Sequence, residues 1–275
     1  MPIDRVGLEG IGFFPNLTLR ASPIFEVNDP TECSLGFCTP GDESELGLFT
    51  EDVIHIVVES ALEGLGDVNA RIVENHFQHA FNREYGILCL SRFPDLKKMW
   101  SYYASNHTGF AVGLDENALS KRFKSYKKDG TNEVIIKKRI PLIPKNVVNG
   151  RISIPVGYAY CKTEEWMDEC ETRFIIRNDQ MSNANLIHLG ENSIKEIVFG
   201  LNMSFHISAA ICQIFLSMGF KNLLFKRVDL TTDNKLKLCN TSFDIERRLL
   251  NTRMTPLMLR FHKACNEILA SKNDT

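Results

Sequence analysis

"EEWMDECETRFIIR" (Glu164–Arg177) decides how the chain is read, because it joins an acidic, tryptophan-bearing run to an apolar strand. In an extended strand, residues two apart share a face. Glu169, Glu171 and Arg173 therefore project together, and Cys170, Thr172 and Phe174 face the core. A bland account is available: a solvated strand face with ion pairs worth under about 1 kcal/mol. The alternative is a functional carboxylate pair beside a fixed arginine.

Outward from this stretch the signals alternate between helix and strand without a regular βαβ rhythm. On the N-terminal side, "ISIPVGYAYC" (152–161) reads as a strand, "GFAVGL" (109–114) as another, and "GILCLS" (86–91) as a third. "PDLKKMWSYYA" (94–104) reads as a short helix opened by Pro94. Further back, Thr50 is a good cap for a helix through "EDVIHIVVESALE" with Gly64 placed to end it. A second helix follows over "DVNARIVENHFQHAF" (67–81), and "NLTLRAS" (16–22) is an early strand leading to the turn at Asn28-Asp29-Pro30.

On the C-terminal side come the strand "KEIVFG" (195–200) and the helix "SFHISAAICQIFLSM" (204–218) ending at Gly219. The strand "KNLLFKRVDL" (221–230) and a helix from Pro256 to about Ala270 complete the order. Helices crowd the first third and strands the middle. The expected class is α+β, a helical N-terminal third packed on a largely antiparallel mixed sheet. One domain over residues 1–275 is expected, with a helical extension at 240–275.

Composition narrows the function classes. With 275 residues, 44% of them hydrophobic, the chain can bury a core without metals or disulfides. A formal net charge of -2 excludes a wholly basic nucleic-acid coat. The N-terminus shows no secretory pattern, and the apolar runs fall short of the roughly 20 residues that span a bilayer. The expectation is a soluble, cytoplasmic protein with no membrane partner. The eight cysteines form no CxxC, and those in "GILCLS" and "AAICQIF" read as reduced core thiols. His76 and His79 are spaced three apart on a helix, but no cysteine pair accompanies them, so no metal site is expected. Neither GxGxxG nor GxxxxGK[ST] occurs.

The region from Lys121 to Arg151 is locally basic, with ten lysines and arginines opposed by Asp129 and Glu133. A lysine-guarded strand edge accounts for it. The sharper alternative is a docking patch for a polyanionic acceptor such as RNA or DNA, with Phe123 and Tyr126 interleaved.

Taken together, several motifs carry a family resemblance. They are Asn28-Asp29-Pro30; Cys89-Leu90-Ser91; Met99, Trp100, Tyr103, Ala104, His107 and Gly109; Trp166, Glu169, Glu171 and Arg173; and Ile197 with Gly200. Spread over about residues 15–225, they resemble a bacterial group catalogued as domain of unknown function 2971. Many relatives open with a Lys-Tyr-Arg strand; this chain does not, and Arg5 or Arg20 would have to substitute.

The motif order is in turn similar to that of ADP-ribosyltransferases, in which a strand ending in Ser precedes an aromatic-bearing helix and a Glu-x-Glu strand comes late. That resemblance implies NAD as substrate, with ADP-ribose transferred or NAD hydrolysed, and the likeness to the bacterial group permits a role in a conflict system. It makes Glu171 the catalytic carboxylate and Glu169 the acceptor-orienting one. Tyr103 would stack on the nicotinamide, Ser91 would support, and Arg20, Arg173, Tyr102 and His107 would complete the cofactor side. The acceptor would be protein or nucleic acid. The chemistry is consistent, since a carboxylate stabilises positive charge developing on the ribose. Two other readings stand beside it: a non-enzymatic module built on a Glu-x-Glu-x-Arg ion network, and a nuclease with carboxylates gathered on Mg²⁺.

Overall fold

Hydrophobic periodicity accounts for most of the elements in the computed structural model, and proline, glycine and buried charge account for the departures. The structure describes residues 13, 16–27, 29, 34, 36–38, 52–57, 66–123, 125–126, 132–137, 142–144, 150–182 and 185–242. The chain divides into two compact units. One comprises residues 1–19, 93–122 and 188–275; the other comprises 20–92 and 123–187. The class is α+β, with four α-helices among the described residues and several mainly antiparallel sheets. None of those helices is long and apolar enough to cross a membrane.

The first unit is built on a four-stranded sheet. Its strands run in the order Leu236–Thr241, Leu224–Leu230, Ile194–Phe199, Phe110–Leu114. The central pair is parallel, as its connection through the helix Phe205–Ser217 requires. That helix begins at Ser204, whose hydroxyl accepts from the His206 amide, and ends ahead of Gly219, which takes φ +89. Its apolar face carries Ile207, Ile211, Cys212, Ile214 and Phe215, all buried. Phe215 meets Phe13, Phe220 and Phe225 edge-on or tilted.

The second unit centres on the strand Glu171–Arg177. It lies between Tyr85–Ser91 and the short strand Ser125–Tyr126, antiparallel to both. Three further two-stranded pairings belong to it: Val53–Val57 with Arg151–Pro155, Ile135–Lys137 with Cys161–Thr163, and Gly36–Cys38 with Leu142–Pro144. The helix Gly66–Glu84 packs Val73, Phe77 and Phe81 into a core shared with Ile54, Ile56, Ile87, Ile152, Ile154, Tyr158, Tyr160 and Ile175.

Several expectations need correction. "VIHIV" is a strand, Val53–Val57, where a helix was expected from Thr50. Ile54 and Ile56 are buried while Val53, His55 and Val57 are not, a period of two. β-branched side chains favour that pleated arrangement over a helix. Among the described residues the helical N-terminal third is thus reduced to one α-helix among strands, and the mixed sheet is several small ones.

The strand expected over 152–161 stops at Pro155, which has no amide to donate. A 3-10 turn, Val156–Tyr160, follows, and Cys161–Thr163 resumes in a different pairing. Cys89 is exposed, because burial along Tyr85–Ser91 ends after Leu88; Cys212 is buried as expected.

A helix at Glu116–Arg122 went unforeseen, although Asp115 signals it: its carboxylate accepts from the Ala118 amide. The strand Leu236–Thr241 occupies the start of the supposed helical extension. The Pro256–Ala270 helix, Asn28, Pro30 and most of the basic segment (Lys124, Lys127, Lys128, Lys138, Arg139 and Lys145) lie outside the described residues.

Candidate functional site

Four charged side chains of the second unit converge in its interior. Lys162 Nζ donates to Glu169 Oε2 at 2.8 Å and to Glu171 Oε2 at 2.7 Å. Arg173 grips the same Glu171 from the other side, Nε to Oε1 at 2.7 Å and Nη2 to Oε2 at 2.9 Å. Its Nη1 donates to the Ala159 carbonyl. Side-chain exposure is 6% or less for all four. Among the described residues two cations meet two anions here.

The route by which these residues meet differs from simple strand alternation. Glu171 and Arg173 do lie two apart on the strand Glu171–Arg177. Glu169, however, ends a 3-10 helix, Glu164–Glu169, and Cys170 between them adopts a left-handed backbone at φ 45. Glu169 reaches the cluster by that kink. Thr172 and Phe174 are buried on the opposite face, but the charged face is buried too, so the solvated-face account fails.

The backbone is held on both sides. Glu171 pairs with Ser91 and Arg173 with Cys89 across the antiparallel ladder. On the other edge the Arg173 amide donates to the Asn132 carbonyl at 2.7 Å. Ser91 Oγ donates to the Glu169 carbonyl at 3.0 Å, tying the kink to the neighbouring strand. Lys162 arrives from Cys161–Thr163, and its ammonium lies 4.9 Å from the centre of the Trp166 ring.

Electrostatics follow from this geometry. Burial is the largest single influence on Glu171 and pushes its pKa up. The Arg173 charge and hydrogen bonds, then Lys162 and the Cys89 thiol, together outweigh it and hold the group at about 2, against an ordinary 4.5. The folded value lies below the unfolded one, so the stabilisation is complete above about pH 4.5 and lost as pH falls toward 2. Glu171→Gln removes this contribution. Acid-unfolding curves should therefore be shallower for E171Q than for wild type between pH 4.5 and 2, and parallel curves would refute the assignment.

The remaining candidates have other engagements. Arg20 pairs with Glu26 rather than with the carboxylate cluster. Tyr102, Tyr103 and His107 belong to the first unit. Tyr102 is exposed, on the short helix Lys97–Tyr103. His107 stacks on Trp100 with ring centres 6.1 Å apart and planes 13° apart, and its buried Nδ1 has no hydrogen-bond partner. Desolvation, and then the Lys97 charge, depress its pKa below 6.5. Trp100 is a core residue, donating to the Pro94 carbonyl at 2.7 Å.

The turn after this helix runs through Ser105, Asn106 and His107, all at positive φ. It is closed by Gly200, whose amide donates to the Gly109 carbonyl at 2.9 Å. The Trp-x-x-Tyr-Ala, His-x-Gly and Ile-x-x-Gly motifs thus form one packed corner. Among the described residues no three His, Cys, Asp or Glu side chains converge on a metal position.

Lys162 is the member that sequence reasoning missed. Its only local mark is a lone lysine between "YAYC" and "TEEW".

The stretch from the Trp100 corner to this cluster is also where the chain has a recorded likeness. Residues 99–174 match the family model DUF2971, a protein of unknown function. The DUF2971 match begins at Met99 and takes in Trp100, Tyr103, His107, Lys162, Trp166, Glu169, Glu171 and Arg173. The Asn-Asp-Pro turn, Ser91 and Gly200 fall outside it. No curated protein and no solved structure matches the chain.

Proposed function

We propose that this chain acts as a binding module in which Lys162, Glu169, Glu171 and Arg173 form a closed structural network. The observation that carries this reading is the saturation of Glu171: both of its oxygens accept from cations, and its side chain is 6% exposed. A carboxylate that stabilises charge on a ribose must face the substrate. This one faces Lys162 and Arg173. Trp100, His107 and Gly200 then serve packing, in keeping with the interior contacts of their corner.

The second reading is an ADP-ribosyltransferase or NAD glycohydrolase of that fold type, acting in the cytoplasm and in a bacterial conflict system. One observation favours it. The ladder sets Ser91 directly across from Glu171, joining the strand that ends in Ser to the strand that begins at Glu171. Glu171 would be catalytic and Glu169 would orient the acceptor. Ser91, Arg173 and Arg20 would assist from the same unit. The basic segment would dock a nucleic-acid or protein acceptor.

The two part cleanly in one assay, the release of nicotinamide from NAD by purified protein, alone and with cell extract as acceptor. The module predicts no release above the protein-free control. Release by wild type that disappears in E171Q would replace the module with the enzyme.

A further inference from the structure

We propose that the stack of Trp100 and His107 is a proton-sensitive latch: the neutral imidazole holds the turn at residues 105–109 against the segment 200–203, and protonation releases it. The ring planes lie 13° apart with centres 6.1 Å apart, and the imidazole Nδ1 is buried without a hydrogen-bond partner. A neutral ring can carry its one proton on Nε2 and leave Nδ1 bare. An imidazolium carries a proton on both nitrogens, so it would bury a charged N–H that has no acceptor. The indole face attracts a cation, but 6.1 Å lies at the limit of about 6 Å for that attraction, and the stranded donor outweighs it.

The turn itself is poised to let go. Ser105, Asn106 and His107 take φ 48, 53 and 66, three successive left-handed positions that a Cβ disfavours. Such a backbone persists only while surrounding contacts hold it. The Asn202 amide donates to the His107 carbonyl at 3.0 Å, and its side-chain amide donates to the Asn106 carbonyl at 3.1 Å. The Gly200 amide completes the seam at the Gly109 carbonyl. These bonds run to the titrating residue or to its close neighbours.

Charged groups on the packed elements are committed elsewhere or oppose the proton. On the strands packed against Trp100, Lys195 pairs with Asp115, Lys226 with Glu196 and Lys237 with Asp229. Arg227 donates to the Gly200 and Met203 carbonyls and to the Ser208 hydroxyl. Residues 200–203 and the strand Phe110–Leu114 carry no charged side chain. Asp95, Lys97 and Lys98 stand at the start of the helix Lys97–Tyr103, and of these Lys97 is the charge that acts on the ring. Burial first, and then Lys97, hold the imidazole below its ordinary 6.5. The released turn regains that ordinary value, so the latch is complete above about pH 6.5 and weakens as pH falls below it.

The latch goes beyond a packing role and is independent of either functional reading. Amide hydrogen exchange at Gly109, Gly200 and Asn202 reads it directly. Wild-type protection factors there should fall by about fivefold between pH 7.5 and pH 5.5, because opening takes up one proton. His107→Asn supplies a residue that tolerates the left-handed backbone and does not titrate. Its protection at the same amides should not change over that range.

Should His107→Asn not fold, the wild-type His107 Cε1 proton is titrated by NMR. A midpoint below 6.5 together with the fall in protection then supports the latch. Protection that is independent of pH in wild type, or that falls equally in His107→Asn, overturns it, and so does a midpoint at or above 6.5.

Discussion

Arg173→Met lowers the unfolding free energy by about 3–5 kcal/mol, the range for removing one partner of a buried ion pair. The methionine fills much of the volume, so the loss is electrostatic rather than a cavity. Glu171 forfeits two hydrogen bonds from the guanidinium, and the Ala159 carbonyl forfeits its donor. Lys162 then remains the one described cation that pairs with Glu171. Equilibrium denaturation in urea measures the effect. Combining Arg173→Met with Glu171→Gln should recover part of the loss, because the stranded charge is gone. A cost under about 1 kcal/mol would mean that the network is an ordinary solvent-screened pairing.

Gly200→Ala is the second large effect, in the other unit. A Cβ at this position would overlap the His107 carbonyl and crowd the Gly109 carbonyl, both of them backbone. No side chain can rotate aside to make room. Hydrogen bonds from the Gly200 amide to the Gly109 carbonyl and from the Asn202 amide to the His107 carbonyl hold the two segments together there. One methyl group should cost about 3 kcal/mol, the upper end for overpacking a fixed site.

Gly219→Ala is the comparison. Nothing lies within 4 Å of its Cβ, and the only penalty is φ +89, about 1 kcal/mol for a non-glycine residue. Thermal unfolding of the pair should therefore rank Gly200→Ala well below Gly219→Ala. The reverse ranking would show that the corner yields.

Periodicity was enough wherever one face of an element is buried and the other is not. The helix Phe205–Ser217 announces itself through Ser204, its apolar stripe and Gly219. The strands Tyr85–Ser91, Phe110–Leu114, Ile194–Phe199 and Leu224–Leu230 announce themselves as short apolar runs between turns. Where two local signals compete, the sequence misleads. Thr50 and Gly64 frame a helix, but the β-branched alternation between them pairs with Arg151–Pro155, nearly a hundred residues away.

The candidate site divides along the same line. The residues Glu169, Glu171, Arg173 and Ser91 stand out in the sequence as chemistry-bearing, and the spacing of Glu171 and Arg173 already places them on one face of a strand. The sequence by itself thus determined the α+β class, seven of the fifteen described strands and the identity of the acidic pair. Only the tertiary structure decided that the charged face is buried, that Glu169 joins it through a left-handed kink, and that Lys162 closes it. The physical reason is range. Alternation and capping are written in neighbouring residues, whereas the fate of a charge depends on what the distant chain lays over it. Here a lysine on a three-residue strand, fixed by pairing with Ile135–Lys137, joins Arg173 in turning two carboxylates from a solvent-facing pattern into a buried ion-paired cluster.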